Sequence, residues 1–193
     1  MRRIIFYAHI SLDGFFSGPD GELDHFVPSD EVHQHANDYL RDADALIMGR
    51  VMYDVMSFWD GVDPSDLPRV QREFADIYQS KPRYVMSRSR PQLDAKSTLI
   101  TGDIVSRVRQ LKGDGDGYLG LGVGPELLAL FLENGLIDEL MVIAMPMLLG
   151  EGVPLFRDVK GHLPLKLTST RTFEGGSVLH AYSAGEKLRS VEP

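Results

Sequence analysis

The nine residues Tyr118-Leu119-Gly120-Leu121-Gly122-Val123-Gly124-Pro125-Glu126 restrict the fold more than any other stretch of the chain. An apolar run carrying alternate glycines meets Pro125, a residue suited to the first position of a helix. The segment reads as strand, tight corner, helix. Glycines at such a corner let the backbone approach a ligand and aim free N–H groups at an anion. The pattern is G-x-G-x-G-P, not the dinucleotide fingerprint G-x-G-x-x-G. The nearest downstream acids, Asp138 and Glu139, begin a strand, which places them badly for a ribose. Taken alone, the turn reads equally as a phosphate site or a structural corner.

The rest of the chain repeats the alternation. Ile4–Ile10 reads as a buried first strand, and 11–28, with five Gly or Pro residues, as a long loop. Ser29 is placed to cap a helix running to about Arg41. Ala43–Met48 is a second apolar strand, followed by a short helix from Val51 to Phe58 and a loop over Asp60–Pro68. Arg69–Gln79 is amphipathic, with Val70, Phe74, Ile77 and Tyr78 on one face. Strands are expected at Arg83–Ser87 and Ser97–Thr101, and a helix capped by Asp103 runs through Leu111. Glu126–Glu133 is a helix stopped by Asn134-Gly135. Glu139–Leu148 is the longest apolar strand, and Leu163–Phe173 and Ser177–Ser183 form a closing antiparallel pair around Glu174-Gly175-Gly176. Strands and helices alternate first and strands pair last, as in an α/β domain whose mostly parallel sheet has an antiparallel edge. With no repeat and no linker, the 193 residues (1–193) read as a single domain.

Charge and composition exclude several functions. A formal net charge of −8 without a basic block gives no footing for nucleic acid. The lack of cysteine removes disulfides, thiolate chemistry and Cys-based zinc sites, and is compatible with a reducing compartment. The apolar start is too short for a signal peptide, and no run approaches the roughly 18 apolar residues of a membrane span. A soluble cytoplasmic protein is expected. His33 and His35, two positions apart, do not share a helix face, so no metal site is expected.

Candidate chemistry gathers at the ends of strands. Gly49-Arg50 follows the second strand, and Ser87-Arg88 follows the strand from Arg83. Each offers a guanidinium at a strand's C-terminal end, where ligands of open α/β sheets collect. Each pair read alone also fits an ordinary surface. Asp13 directly follows a buried strand, while most other acids of the first loop read as solvated turn residues.

These pieces, in this order, resemble the dihydrofolate-reductase-like superfamily. Within it they resemble the C-terminal reductase domain of bifunctional riboflavin-biosynthesis (RibD) proteins and its stand-alone bacterial relatives. The matching segments are Ser11-Leu12-Asp13-Gly14, Asp24-His25, Leu46–Tyr53, Tyr84–Arg88, Gly135–Leu140 and Pro146–Phe156. The resemblance covers nearly the whole chain and is most specific in Pro146–Phe156.

It implies a three-layer fold: a mixed, mostly parallel sheet of about eight strands, helices on both faces and a C-terminal antiparallel hairpin. It implies an NADPH-dependent reductase that passes hydride to a small pterin- or pyrimidine-like heterocycle, as in the phosphoribosylaminouracil reductase of riboflavin biosynthesis. By position, Ala8 lines the nicotinamide pocket, Gly49 and Arg50 meet phosphates, and Ser87 and Arg88 hold the adenosine end with its 2′-phosphate. Gly122, Gly124, Glu126 and Leu127 form the pyrophosphate turn and helix start. Asp13 and Asp30 take the catalytic place, and Asp24, His25 and Tyr53 face the substrate. A homodimer is implied, built from Leu140–Leu149 and the closing hairpin.

Two departures fall on the cofactor site. The family usually has Thr where this chain has Met52, and Gly-Gly where it has Val123-Gly124. They motivate a second reading, a non-catalytic nucleotide- or ligand-binding protein on the same scaffold. The first loop is acidic and lacks Lys or Arg from Asp13 to Glu31, which suits a neutral or cationic heterocycle better than a phosphoribosyl one.

Overall fold

The computed structural model describes residues 1–184. Ten strands and six α-helices are found among them. In chain order they are β1 (Arg3–Ser11), β2 (Phe15–Ser17), α1 (Asp30–Asp42), β3 (Ala45–Gly49), α2 (Arg50–Met56), α3 (Phe58–Gly61), α4 (Arg69–Ser80), β4 (Arg83–Met86), β5 (Ser97–Ile100), α5 (Ile104–Gly113), β6 (Tyr118–Gly122), α6 (Pro125–Glu133), β7 (Glu139–Met145), β8 (Val153–Pro154), β9 (Leu165–Thr172) and β10 (Val178–Ala184). Eight strands form one sheet in the order β5-β4-β3-β6-β1-β7-β10-β9, and β2 pairs with β8. The pairs β5–β4, β4–β3, β3–β6 and β1–β7 are parallel, and β10 runs antiparallel to both β7 and β9. The chain is thus an α/β protein with a mostly parallel sheet and a C-terminal antiparallel pair, as the order of its elements led us to expect.

The chain divides into two compact units. The first holds Met1–Arg3 and Asp30–Val123. Its central strand β3 is buried at all five positions, as a parallel strand covered on both faces must be. Leu40, Leu46, Met48, Tyr53, Tyr78 and Val85 make a core cluster, against which Met52, Trp59, Phe74 and Ile77 pack. The buried amide of Asn37 ties α1 to α4 by donating to the Val70 carbonyl at 2.9 Å. Asp103 caps α5 as expected, its carboxylate accepting from the Ser106 N–H at 3.0 Å.

The second unit holds Ile4–Ser29 and the chain from Gly124. Asp138 fixes the start of β1: its carboxylate accepts from the Ile4 N–H at 2.6 Å, and its own N–H donates to the Ile4 carbonyl at 2.9 Å. Helix α6 ends in a Schellman motif. Gly135 has φ 61°, its N–H reaches the Leu132 carbonyl at 3.1 Å, and the Leu136 N–H reaches the Phe131 carbonyl at 2.9 Å.

Some boundaries depart from the sequence reading. Strand β3 begins at Ala45 rather than Ala43, because Lys81 donates its ammonium to the Ala43 carbonyl and holds it out of the ladder. The helix expected over 51–58 breaks at Ser57, whose hydroxyl turns back to the Asp54 carbonyl at 2.6 Å. The 60–68 loop contains a 3-10 turn over Pro64–Asp66, and the first loop contains β2. Both are too short for a residue period to show. No helix among the described residues is long and apolar enough to cross a membrane.

Candidate functional site

In the first unit the strand registers bring the expected segments to one end of the sheet. Gly49, the last residue of β3, lies opposite Met86, the last of β4, so Gly49-Arg50 and Ser87-Arg88 leave side by side. On the other flank of β3, Met48 lies opposite Gly122, the last residue of β6. All three are C-terminal ends of parallel strands, the edge where ligands of such sheets gather.

The side chains there include two guanidiniums and a hydroxyl. Gly49 is extended (φ −72°, ψ 156°) and no side chain caps the helix it opens. Arg50 holds Asp54 at 2.6 Å through Nη1, while its Nε is buried with no hydrogen-bond partner among the described residues. Ser87 is 9% exposed, and its Oγ accepts from the Ser89 N–H at 3.1 Å in a tight turn. Arg88 is exposed beyond it. A buried, unused guanidinium N–H beside an exposed arginine fits an incoming phosphate.

The three glycines of the corner have three different causes. A Cβ on Gly120 would stand 2.9 Å from both Leu46 Cδ2 and Tyr39 Oη, so this glycine serves packing. Tyr39 uses that proximity to accept the Leu121 N–H at 3.1 Å. A Cβ on Gly122 would stand 3.4 Å from Met52 Cγ. Gly124, in the second unit, has nothing within 4 Å of its Cβ position and opens α6 from an extended conformation (φ −79°, ψ 176°). That open cradle over a helix start also fits a phosphate. The peptide bonds of the described residues are all trans, Val123–Gly124 included.

The remaining residues scatter. Tyr53, expected on the substrate, lies in the core at 6% exposure. Its hydroxyl donates to Asp94 Oδ2 at 3.0 Å and accepts from the Asp94 N–H at 3.2 Å. The hydroxyl is turned inward and engaged as both donor and acceptor. Asp30 is exposed at the start of α1, where the helix dipole favours an acid. In the second unit, Ala8 is buried on β1 opposite Val142. Glu126 is exposed in the first turn of α6, with Leu127 half-buried beside it. Asp24 and His25 sit in an exposed turn, where the His25 ring meets Glu22 at 3.2 Å. The Asp13 carboxylate accepts the Leu149 and Gly150 N–H groups at 3.2 and 2.8 Å. Its hydrogen bond with Ser11, and then these backbone bonds, hold it below the usual carboxylate range.

Asp94 was missed by the sequence reading. Its Oδ2 accepts from Tyr53, from Ser97 Oγ at 2.8 Å and from Arg83 Nη2 at 3.1 Å, and its Oδ1 from the Lys96 N–H at 2.7 Å. It therefore joins α2 to the loop that carries Ser87 and Arg88. Tyr53 stands 41 positions away, so no local pattern announces the pair. No group of three or more His, Cys, Asp or Glu among the described residues is placed to hold a metal.

The fold is that of an α/β protein of the reductase-like kind. The chain belongs to the RibD C-terminal domain family, whose model matches residues 2–179. The uncharacterized protein YyaP of Bacillus subtilis is 33% identical over 181 residues, covering 94% of each chain. Among solved structures, a putative riboflavin biosynthesis protein from Shewanella sp. PV-4 has a TM-score of 0.73 at 26% identity, covering 95% of this chain and 99% of its own. A diaminohydroxyphosphoribosylaminopyrimidine deaminase/reductase from Thermotoga maritima shares the fold at 13% identity, with a TM-score of 0.68. The match takes in 95% of this chain and 57% of that one.

Proposed function

We propose that this chain is an NADPH-dependent reductase of the cytoplasm that reduces a C=N or C=O group of a small heterocycle. One observation carries the reading: Gly49-Arg50 and Ser87-Arg88 leave adjacent strands in register, with a buried Arg50 Nε still to be satisfied. Reductases of this family are generally NADPH-dependent. When bound, NADPH would supply a hydride to the carbon of the C=N or C=O group and become NADP+, with the proton on nitrogen or oxygen coming from solvent. In the first unit Arg50 would bind a phosphate through its fork, and Ser87 and Arg88 would bind the 2′-phosphate end; taken by itself, Gly124 with the first turn of α6 would offer N–H groups to an anion. We assign Asp30 of the first unit to the substrate. The Leu149 and Gly150 N–H groups hold the Asp13 carboxylate against the 147–150 loop, and we keep it as the candidate catalytic carboxylate of the second unit. The acidic first loop favours a neutral or cationic ring as substrate.

Titration with NADPH and NADH tests the reading. NADPH binds more tightly, and Arg88→Ala weakens NADPH by about tenfold or more while leaving NADH within about twofold, the loss expected for one charge-assisted contact. Absence of binding of either at millimolar concentration would sink the proposal. Met52 over Gly122 favours one alternative, a nucleotide binder without turnover on the same scaffold. Tight NADPH binding with no oxidation of it across a panel of pterins and pyrimidines would select that reading.

A further inference from the structure

The geometry at the end of β6 points to Met52 as the residue that decides which part of a nucleotide the protein grips. We infer that its side chain covers Gly122 and removes that strand end from phosphate recognition, so that binding falls on the 2′-phosphate end. This inference rests on the nucleotide reading above.

Gly122 does not have the positive φ that would demand a glycine. A Cβ there would meet no more than ordinary van der Waals contact, so the glycine leaves room over the strand end. Met52 borders that room: apart from the chain neighbours of Gly122, its Cγ is the one atom among the described residues within 4 Å of the Gly122 Cβ position, at 3.4 Å. Met52 does not hang loosely there. It packs against the cluster of Leu40, Leu46, Met48, Tyr53, Tyr78 and Val85. It also stands in the first turn of α2, two residues beyond Arg50, at the edge the strand registers define.

The chemistry of the side chain sets the consequence. A thioether has no hydrogen to donate and is a weak acceptor. A phosphate oxygen brought to this strand end would lose water and gain no partner from Met52. The neighbouring ends differ: Arg50 Nε is unsatisfied, and Ser87 and Arg88 present a hydroxyl and a guanidinium. The ADP-ribose part common to NADH and NADPH thus keeps Arg50 but gains nothing at Gly122, and the 2′-phosphate carries the difference between the two cofactors.

The test is calorimetric titration of wild type, Met52→Thr, Met52→Ala and the double variant Met52→Thr/Gly122→Ala with ADP-ribose and NADPH. Far-ultraviolet circular dichroism checks that each variant is folded. Met52→Thr uncovers Gly122 and adds a hydroxyl, so it tightens ADP-ribose by about tenfold and NADPH by a similar factor. Met52→Ala uncovers the glycine without a donor and gives a smaller gain. Adding Gly122→Ala to Met52→Thr refills the gap and cancels the gain. Damage to packing alone would weaken binding, so a gain cannot arise from it. Unchanged or weaker ADP-ribose binding by a folded Met52→Thr protein overturns the inference, even where wild type binds NADPH. If wild type binds neither ligand but Met52→Thr binds both, the role of Met52 stands and the cofactor assignment for wild type falls. If no variant binds either ligand, both are overturned.

Discussion

Gly120 and Gly124 look alike in the sequence and behave differently in the structure. Both belong to the run of alternating glycines that marks a strand-to-helix corner, and neither has a positive φ. An alanine at 120 would press on Leu46 and on the Tyr39 hydroxyl that holds the Leu121 N–H. Gly120→Ala is expected to destabilise by about 1–3 kcal/mol, the ordinary range for overpacking. Gly124→Ala meets open space and leaves the unfolding midpoint unchanged, but weakens NADPH by filling the approach to α6. Urea unfolding and NADPH titration of the two variants read the difference. Equal stability losses would refute it. The sequence marks this corner as tight. It does not say which glycine serves packing, because Tyr39, Leu46 and Met52 come from elements more than 60 positions earlier.

At the scale of elements, the association of α2 with the loop after β4 was not legible, although both elements were foreseen in place. Tyr53 followed a recognisable Gly-Arg pair and was read outward. In the fold it turns inward to Asp94, in a stretch that looked like featureless loop. Arg83, 2% exposed, also needs this acid, along with Asp60 at 3.1 Å. Burial opposes the charge on Asp94. The Ser97 hydroxyl, the Lys96 N–H, the Tyr53 hydroxyl and Arg83 outweigh it and hold the carboxyl below its usual range. A lowered folded-state pKa means stability that is fully present above the unfolded aspartate value of about 3.9 and is lost as pH falls through the folded value. Asp94→Asn is expected to cost about 1–3 kcal/mol near neutral pH, the range for a buried partner left unmatched. It also flattens the loss of stability on acidification. Denaturant unfolding of wild type and variant from about pH 6 down to about pH 3 measures this. Parallel curves across that range would show that Asp94 contributes nothing to the acid sensitivity.

For the whole molecule, the order of elements was legible because buried strands are apolar runs and helices have a longer period, while the closing hairpin showed itself by its Glu174-Gly175-Gly176 turn. A place where a second copy could add is the edge of that hairpin left unpaired among the described residues. Strand β9 stands last in the sheet and pairs only with β10 among the described residues. All eight of its residues are exposed, including Leu165 at 42% and Leu167 at 51%. An edge of this length presents a row of backbone donors and acceptors that invites a second strand unless charge or a partner covers it. Lys166 and Arg171 supply some charge, yet Leu167 lies in one row with Tyr182, Leu140 and Phe6. That row extends the apolar surface of the sheet to its rim. A homodimer through this hairpin is the expected state, with Leu167 near its centre. Light scattering at micromolar concentration is then expected to give twice the 21.5 kDa of one chain. Leu167→Lys places a charge at the rim without touching the buried rows of β7, so it gives a folded monomer with an unchanged circular dichroism spectrum. A wild-type mass of one chain rules out the dimer, and a Leu167→Lys protein that remains dimeric moves the interface away from β9.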